Sequence, residues 1–347
     1  MTFKQVRMTD VTKENTNNRA NCLNTIRLIA AISVFYIHAL AHLNVEMPRI
    51  LTGIIAFFQG VPIFFAMSGF LVWDSVGRSE NFWVYAKKRI LRIYPELWCA
   101  VLLGLVVILV LYDGPIAWGQ LGLFTVTQGT VLQFWTPDCL RGYGCGTPNG
   151  ALWTIGVTVQ FYIVIYFLQK LLRNKGLRTW LALYVGTVLI AVFSPLLKEF
   201  IPNIIYKLYR QTFIPHMWLF MLGAMFAANR SFFAPLLRKY WALLLAASAV
   251  LTIVRIDITL GDYCLFRCLT LIPGIIGFAY QFPRLNIKID ISYGVYIYHM
   301  IVINAMIALG FVNRVVDLLV ALLVTCLLAF ISERTVGRLA MLIKIQK

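Results

Sequence analysis

Charge is what this chain lacks most. Asp, Glu, Lys and Arg make up 13% of its 347 residues, against roughly 25% in ordinary soluble domains. Acid is scarcer still: 14 Asp and Glu stand against 31 Lys and Arg, a formal charge of +17. So little charge cannot clothe a water-exposed surface, which excludes a soluble globular protein. Polar linkers, low-complexity tracts and internal repeats are missing too, which leaves no place for a large soluble domain or a solenoid. The positive balance does not point to nucleic acid, whose readers gather Lys and Arg on one soluble face. Here they sit in short clusters between apolar runs. A cleavable signal peptide is not expected either, because the first 24 residues are polar and the first apolar run begins only after them.

What the chain has is hydrophobic sequence, 60% of all residues. Gly, Pro and charge divide it into ten runs near 25–43, 50–72, 90–111, 150–168, 178–194, 212–228, 240–254, 264–281, 290–310 and 315–332, most of them near the roughly 20 residues that cross a bilayer. The expectation is an all-α polytopic membrane helix bundle of about ten spans embedded in membrane lipids. With the N-terminus inside, 21 Lys and Arg fall on inner segments and 7 on outer ones, while Arg27, Arg92 and Arg267 fall within spans. That asymmetry predicts cytoplasmic N- and C-termini. The domain reading is a cytoplasmic tail over 1–24, a transmembrane domain over 25–332 and a cytoplasmic tail over 333–347. Five of the seven cysteines lie in or beside spans as small apolar packers, whereas Cys139 and Cys145 flank RGYG in the long outer loop 112–149. A small disulfide loop and a pair of free thiols both stay open there.

Ionisable residues inside spans carry the functional signal, since each costs about 2.5–3.5 kcal/mol to insert and is rarely kept without use. Arg27 and His38 are eleven residues apart on the first span, about three turns, so they share one face at two depths. His42 lies one turn beyond His38, but no Asp or Glu supports that pair and no metal is expected. The third span opens KKRILRIYPELW, placing Lys87, Lys88, Arg89 and Arg92 at its inner end. Two readings of Arg92 stand: with Arg89 it grips a phosphate-bearing cytoplasmic ligand, or it only pairs with Glu96 one turn on. His299 falls near mid-membrane among Tyr293, Tyr296 and Tyr298. GVPIFFAMSGFL at 60–71 is a span rich in small residues, tolerated where helices pack closely or line a cavity.

Arg27-x10-His38, GVPIFFAMSGFL, RILRIYP at 89–95, ALWTIGVTVQFY at 151–162 and ISYGVYIYH at 291–299 occur in an order and spacing that resemble the membrane acyltransferase 3 family. The resemblance covers residues 27–299 and implies an O-acyltransferase, most simply an O-acetyltransferase, of the bacterial inner membrane. Such an enzyme takes its acyl group from cytoplasmic acetyl-CoA and passes it to a hydroxyl of an extracytoplasmic glycan, free or lipid-linked, such as O-antigen, capsule or exopolysaccharide. Carried over residue by residue, it implies catalytic roles for His38 and Arg27 and donor binding by Arg89 and Arg92, with Lys88 beside them. Trp153, Tyr298 and His299 are expected on the acceptor side. The chain resembles the stand-alone type, without a fused esterase-like domain. One departure stands out: Thr158 replaces the Glu that the family commonly carries in this motif, so the acid that would orient His38 is unidentified.

Acyl transfer from a thioester needs a base for the attacking hydroxyl and donors for the developing oxyanion. His38 is the best base, and it equally suits transient acceptance of the acyl group. The competing reading is a secondary transporter of an anionic or glycolipid substrate, using the same arginines as its binding site. Absent repeat symmetry and basic residues clustered at one membrane side weigh against it.

Overall fold

The computed structural model describes residues 21–345. Most of the expected 1–24 tail lies outside the described residues, as do the last two residues of the expected C-terminal tail. The described residues are mostly helical. Seven helical stretches are long and apolar enough to cross a membrane: Leu23–His42, Arg49–Gly77, Phe82–Leu111, Gly150–Leu172, Leu177–Phe200, Arg230–Val254 and Val315–Ala340. Three further apolar stretches, Ile214–Ala228, Leu265–Gln281 and Ser292–Ala308, form shorter helices where sequence periodicity places the remaining runs.

In chain order the elements are α1 (Leu23–His42), α2 (Arg49–Phe57), α3 (Gly60–Gly77), α4 (Phe82–Leu111), α5 (Trp118–Gln128), α6 (Trp153–Leu172) and α7 (Leu177–Phe193). They continue with α8 (Asn203–Arg210), α9 (Met217–Ala228), α10 (Arg230–Val254), a two-residue hairpin (Thr259–Leu260 and Tyr263–Cys264), α11 (Leu265–Gln281), α12 (Ser292–Ala308) and α13 (Val315–Ser332). Two elements organise the core. α12 is buried along nearly its whole length against α1, α4 and α13, and α3 is clamped between α1, α6 and α9. The contact of α3 with α9 is backbone to backbone: a Cβ on Gly69 would strike the Phe220 carbonyl, and one on Gly223 would strike that of Ala66. The small residues of the 60–71 run are therefore there for close packing.

The short α9 has a local cause. On α6, Gln160 donates to the Gln211 carbonyl at 3.0 Å and accepts from the Phe213 amide at 3.0 Å. His216 then caps the turn through the Arg210 carbonyl, also at 3.0 Å. Segment 211–216 is thereby drawn down beside α6, and the helix that follows starts late.

The long 112–149 segment is an ordered cap. It is pinned to α12 by Asn304, whose amide donates to the carbonyls of Thr147 (3.2 Å) and Pro148 (3.0 Å) and accepts from the Cys145 amide (2.8 Å). Asn149 adds a bond to the Ile297 carbonyl at 2.9 Å. Gly144, with φ +55°, fits where a side chain would collide with Asn304. Of the two options for the loop cysteines, the structure has the free thiols: Cys139 and Cys145 are not bonded to each other.

Candidate active site

The site is built where α1, α4, α6 and α12 meet. Four of the expected polar residues converge there in two layers.

The first layer is a pair of imidazoles. His38 Nδ1 lies 2.9 Å from His299 Nε2, with the rings within 10° of parallel. His299 is 0% exposed, and its Nδ1 faces the Val295 carbonyl at 3.2 Å. That contact decides the protons. A carbonyl only accepts, so His299 Nδ1 carries the hydrogen and its Nε2 is left with a lone pair. His38 Nδ1 must then donate, which leaves His38 Nε2 as the unprotonated nitrogen. Sequence reasoning left the orienting acid of His38 unidentified; in the structure a second imidazole, 261 residues away in the chain, takes that position. His299 was expected to touch an acceptor, and the structure places it behind His38 instead.

The second layer is a cluster of arginines around one carboxylate. Arg27 Nη1 is 2.5 Å from Asp290 Oδ2, and Arg92 Nη2 approaches the same oxygen at 3.4 Å. Asp290 sits in the loop just before α12 and also accepts from the Ser292 hydroxyl and amide. Burial alone would raise its carboxyl. The two guanidiniums and Ser292 outweigh that and hold it below the usual carboxylate range. Of the two readings of Arg92, the pairing with Glu96 is not formed: Glu96 accepts from Ser332 at 3.1 Å, and Ser332 in turn accepts from Tyr298 at 3.1 Å. Tyr298 is thus tied to α13. Tyr293 and Tyr296 face the site instead, because residues three apart share a helical face and residues two apart do not.

Between the layers lies a cavity of about 100 Å³. Arg27, Arg92, Tyr162 and Tyr293 line one end, and Phe64, Thr154 and Tyr296 the other. Thr158 lies on its wall, one turn from each of Thr154 and Tyr162, and its hydroxyl is bonded to the Thr154 carbonyl. Position 158 therefore faces the arginine cavity. Gly156, two residues away, faces the cap loop, where a Cβ would press on Val131 and Gln133. Tyr296 stands between the cavity and the imidazoles. Its hydroxyl donates to the Ala151 carbonyl at 2.9 Å and contacts Thr154 at 2.6 Å. Its ring lies 5.9 Å from that of His299 and 5.4 Å from that of Phe64.

Arg89 and Lys88 stand apart from Arg92. Arg89 donates to Ser75 at 3.0 Å and lies over the Tyr85 and Tyr162 rings, while Lys88 reaches Ser79 at 3.2 Å. The Tyr162 ring contacts Arg89 and also lines the cavity. Trp153 is half-buried, packed on Phe65 and His216, and opens onto a separate and larger cleft. Asp290 escaped sequence reasoning altogether; its only signal was an acid in an acid-poor chain, directly before the ISYG run.

A multi-pass helical membrane protein with a hydrogen-bonded imidazole pair and an arginine-lined cavity within its bundle is the class these features define. The chain belongs to the acyltransferase 3 family: the family model described as an acyltransferase domain matches residues 21–334. It is 28% identical over 333 residues to Nodulation protein 10 of Rhizobium leguminosarum bv. viciae, covering 87% of this chain and 88% of that one. It is 29% identical over 184 residues to the O-acetyl transferase of Shigella phage Sf6, covering 51% and 54% of the two chains. No solved structure matches it.

Proposed function

We propose that this acyltransferase is an O-acetyltransferase of the bacterial inner membrane that takes acetyl from cytoplasmic acetyl-CoA and delivers it to a sugar hydroxyl of a glycan on the far side. In this reading the three shorter apolar helices complete ten spans, both termini are cytoplasmic, and the cap formed by 112–149 faces outward. The observation that carries it is the 2.9 Å contact of His38 Nδ1 with His299 Nε2, whose own Nδ1 faces the Val295 carbonyl; this chain of contacts leaves His38 Nε2 as the basic nitrogen of a neutral imidazole.

Arg27 and Arg92 hold phosphate of the donor at their end of the cavity, with Arg89, against the Tyr162 ring, and Lys88 adding positive charge toward the start of α4. The Tyr296 ring swings aside to admit the thioester, and His38 Nε2 takes the proton of the sugar hydroxyl as that oxygen attacks the thioester carbonyl carbon. The C–S bond breaks, and the proton passes from His38 to the departing thiolate, giving an acetyl ester and free coenzyme A. A transporter using the same arginines has no need of an imidazole fixed in one tautomer.

The test is transfer of labelled acetyl from acetyl-CoA to the glycan in membranes. His38→Ala, at wild-type abundance, loses at least about 10²-fold in rate, the range typical of a removed general base. Arg92→Lys keeps the charge but not the fork, so it raises KM for acetyl-CoA. Near-normal transfer by an abundant His38→Ala protein would sink the proposal.

A further inference from the structure

The cap encloses the largest cavity among those described, a cleft of about 530 Å³ that the chemistry above does not use. Its walls come from four separate segments: Trp135 and Arg141 of the cap, Trp153 at the start of α6, Lys207 and Arg210 of α8, and Asp262 at the turn of the hairpin. Its depth follows from the fold, because Gln160 draws the neighbouring segment 211–213 down beside α6. The volume falls in the range of small-ligand sites, roughly 300–1,000 Å³.

Two properties of the lining name a ligand class. Trp135 and Trp153 are both half-buried and line the cleft, and indole rings are apolar surfaces of the kind on which a sugar ring packs. The charge is one-sided. Arg210 and Asp262 form an ion pair and cancel. Among the described residues Arg141 forms no ion pair, and its guanidinium donates to the Thr136 and Gly146 carbonyls, neutral partners that leave its charge uncompensated. Lys207 is exposed and has no ion-pair partner among the described residues. Two unbalanced cations in one aromatic cleft select against neutral ligands and for anions.

We infer that this cleft holds the acceptor before transfer and that the acceptor is an anionic saccharide, its ring against the tryptophans and its carboxylate or phosphate on the wall formed by Arg141 and Lys207. The inference rests on the reading of the chain as a glycan acyltransferase and narrows it. The segment joining cleft and base is short. Trp153 lines the cleft, and its neighbour Thr154 contacts the Tyr296 hydroxyl beside His299.

The test is equilibrium binding to the purified full chain in nanodiscs without acyl donor, read by tryptophan fluorescence. The probes are trigalacturonic acid, its neutral trimethyl ester and inorganic pyrophosphate. The acid trimer is expected to bind at least tenfold more tightly than the ester, and Lys207→Gln to erase most of that preference. Lys207 is exposed, so its loss does not endanger folding, and Arg141→Gln serves as the second variant. Competition by pyrophosphate at similar affinity would place the anion on a lipid carrier; preference for the acid trimer alone would place it on the glycan. Either outcome supports an anion site. Equal affinity for acid and ester, or a preference unchanged in both variants, overturns it. Because no acyl transfer is read, failure here leaves the transferase reading standing, and an active His38→Ala protein would sink that reading while leaving this binding intact.

Discussion

His299 decides what His38 can do, and the hydrogen bond between them is the most informative contact in the molecule. A neutral imidazole is a base only through the nitrogen that lacks a proton, so the partner that fixes the tautomer also fixes where the base points. His299→Phe removes the acceptor and frees the His38 ring. His299→Gln restores an acceptor oxygen. The expected outcome is a kcat reduced by about 10²-fold in the Phe variant, partial recovery in the Gln variant, and little change in KM for acetyl-CoA in either. Equal loss of folded protein in both variants would reduce His299 to a packing residue. His38 and Arg27 were legible in the sequence because an ionisable side chain in an apolar run stands out against its neighbours. Their partners were not. His299 and Asp290 lie 261 and 263 residues further along the chain, and no local pattern specifies a pairing at that range. That Tyr298 lies apart from the cavity, bonded to Ser332, was not legible for a simpler reason: hydropathy shows that three tyrosines cluster but not which face of α12 each one takes.

At the scale of elements, helix positions were readable because apolar runs and their breaks are local properties of the sequence. What escaped was helix length. The span expected over 212–228 begins at Met217 as α9, after a turn held by Gln160, and the reason lies in a side chain on another helix. The close approach of α3 and α9 gives the sharpest structural expectation. Gly223→Val places a branched side chain against the Ala66 carbonyl and the Phe70 amide, where only backbone can yield. Overpacking a fitted core costs about 1–3 kcal/mol or more, so the variant should lose thermal stability or fail to accumulate. Gly186→Val serves as the control, because nothing lies within 4 Å of where its Cβ would point. Comparable melting temperatures for the two variants in detergent would contradict the packing described here.

For the whole molecule, the ten-span reading makes a prediction that hydropathy alone cannot test. With both termini cytoplasmic, a cysteine placed on the 112–149 cap at exposed Asp138 should react with a membrane-impermeant maleimide in intact cells. One placed at exposed Arg78, between α3 and α4, should react only after the cells are opened. The reverse pattern would invert the protein and place the arginines at the outer end. The partition formed by Tyr296 then acquires a meaning beyond catalysis. On the proposed reading, a donor cavity reached from one side and a base reached from the other would together make a bore through the bilayer, and a continuous file of water along it would short-circuit the ion gradients across that membrane. The Tyr296 ring, packed on Phe64 and with its hydroxyl tied to Ala151 and Thr154, stands across that bore between the arginine-lined cavity and the imidazole pair. Such an acyltransferase, on the proposed reading, passes its acyl group across an insulating membrane while keeping the membrane insulating.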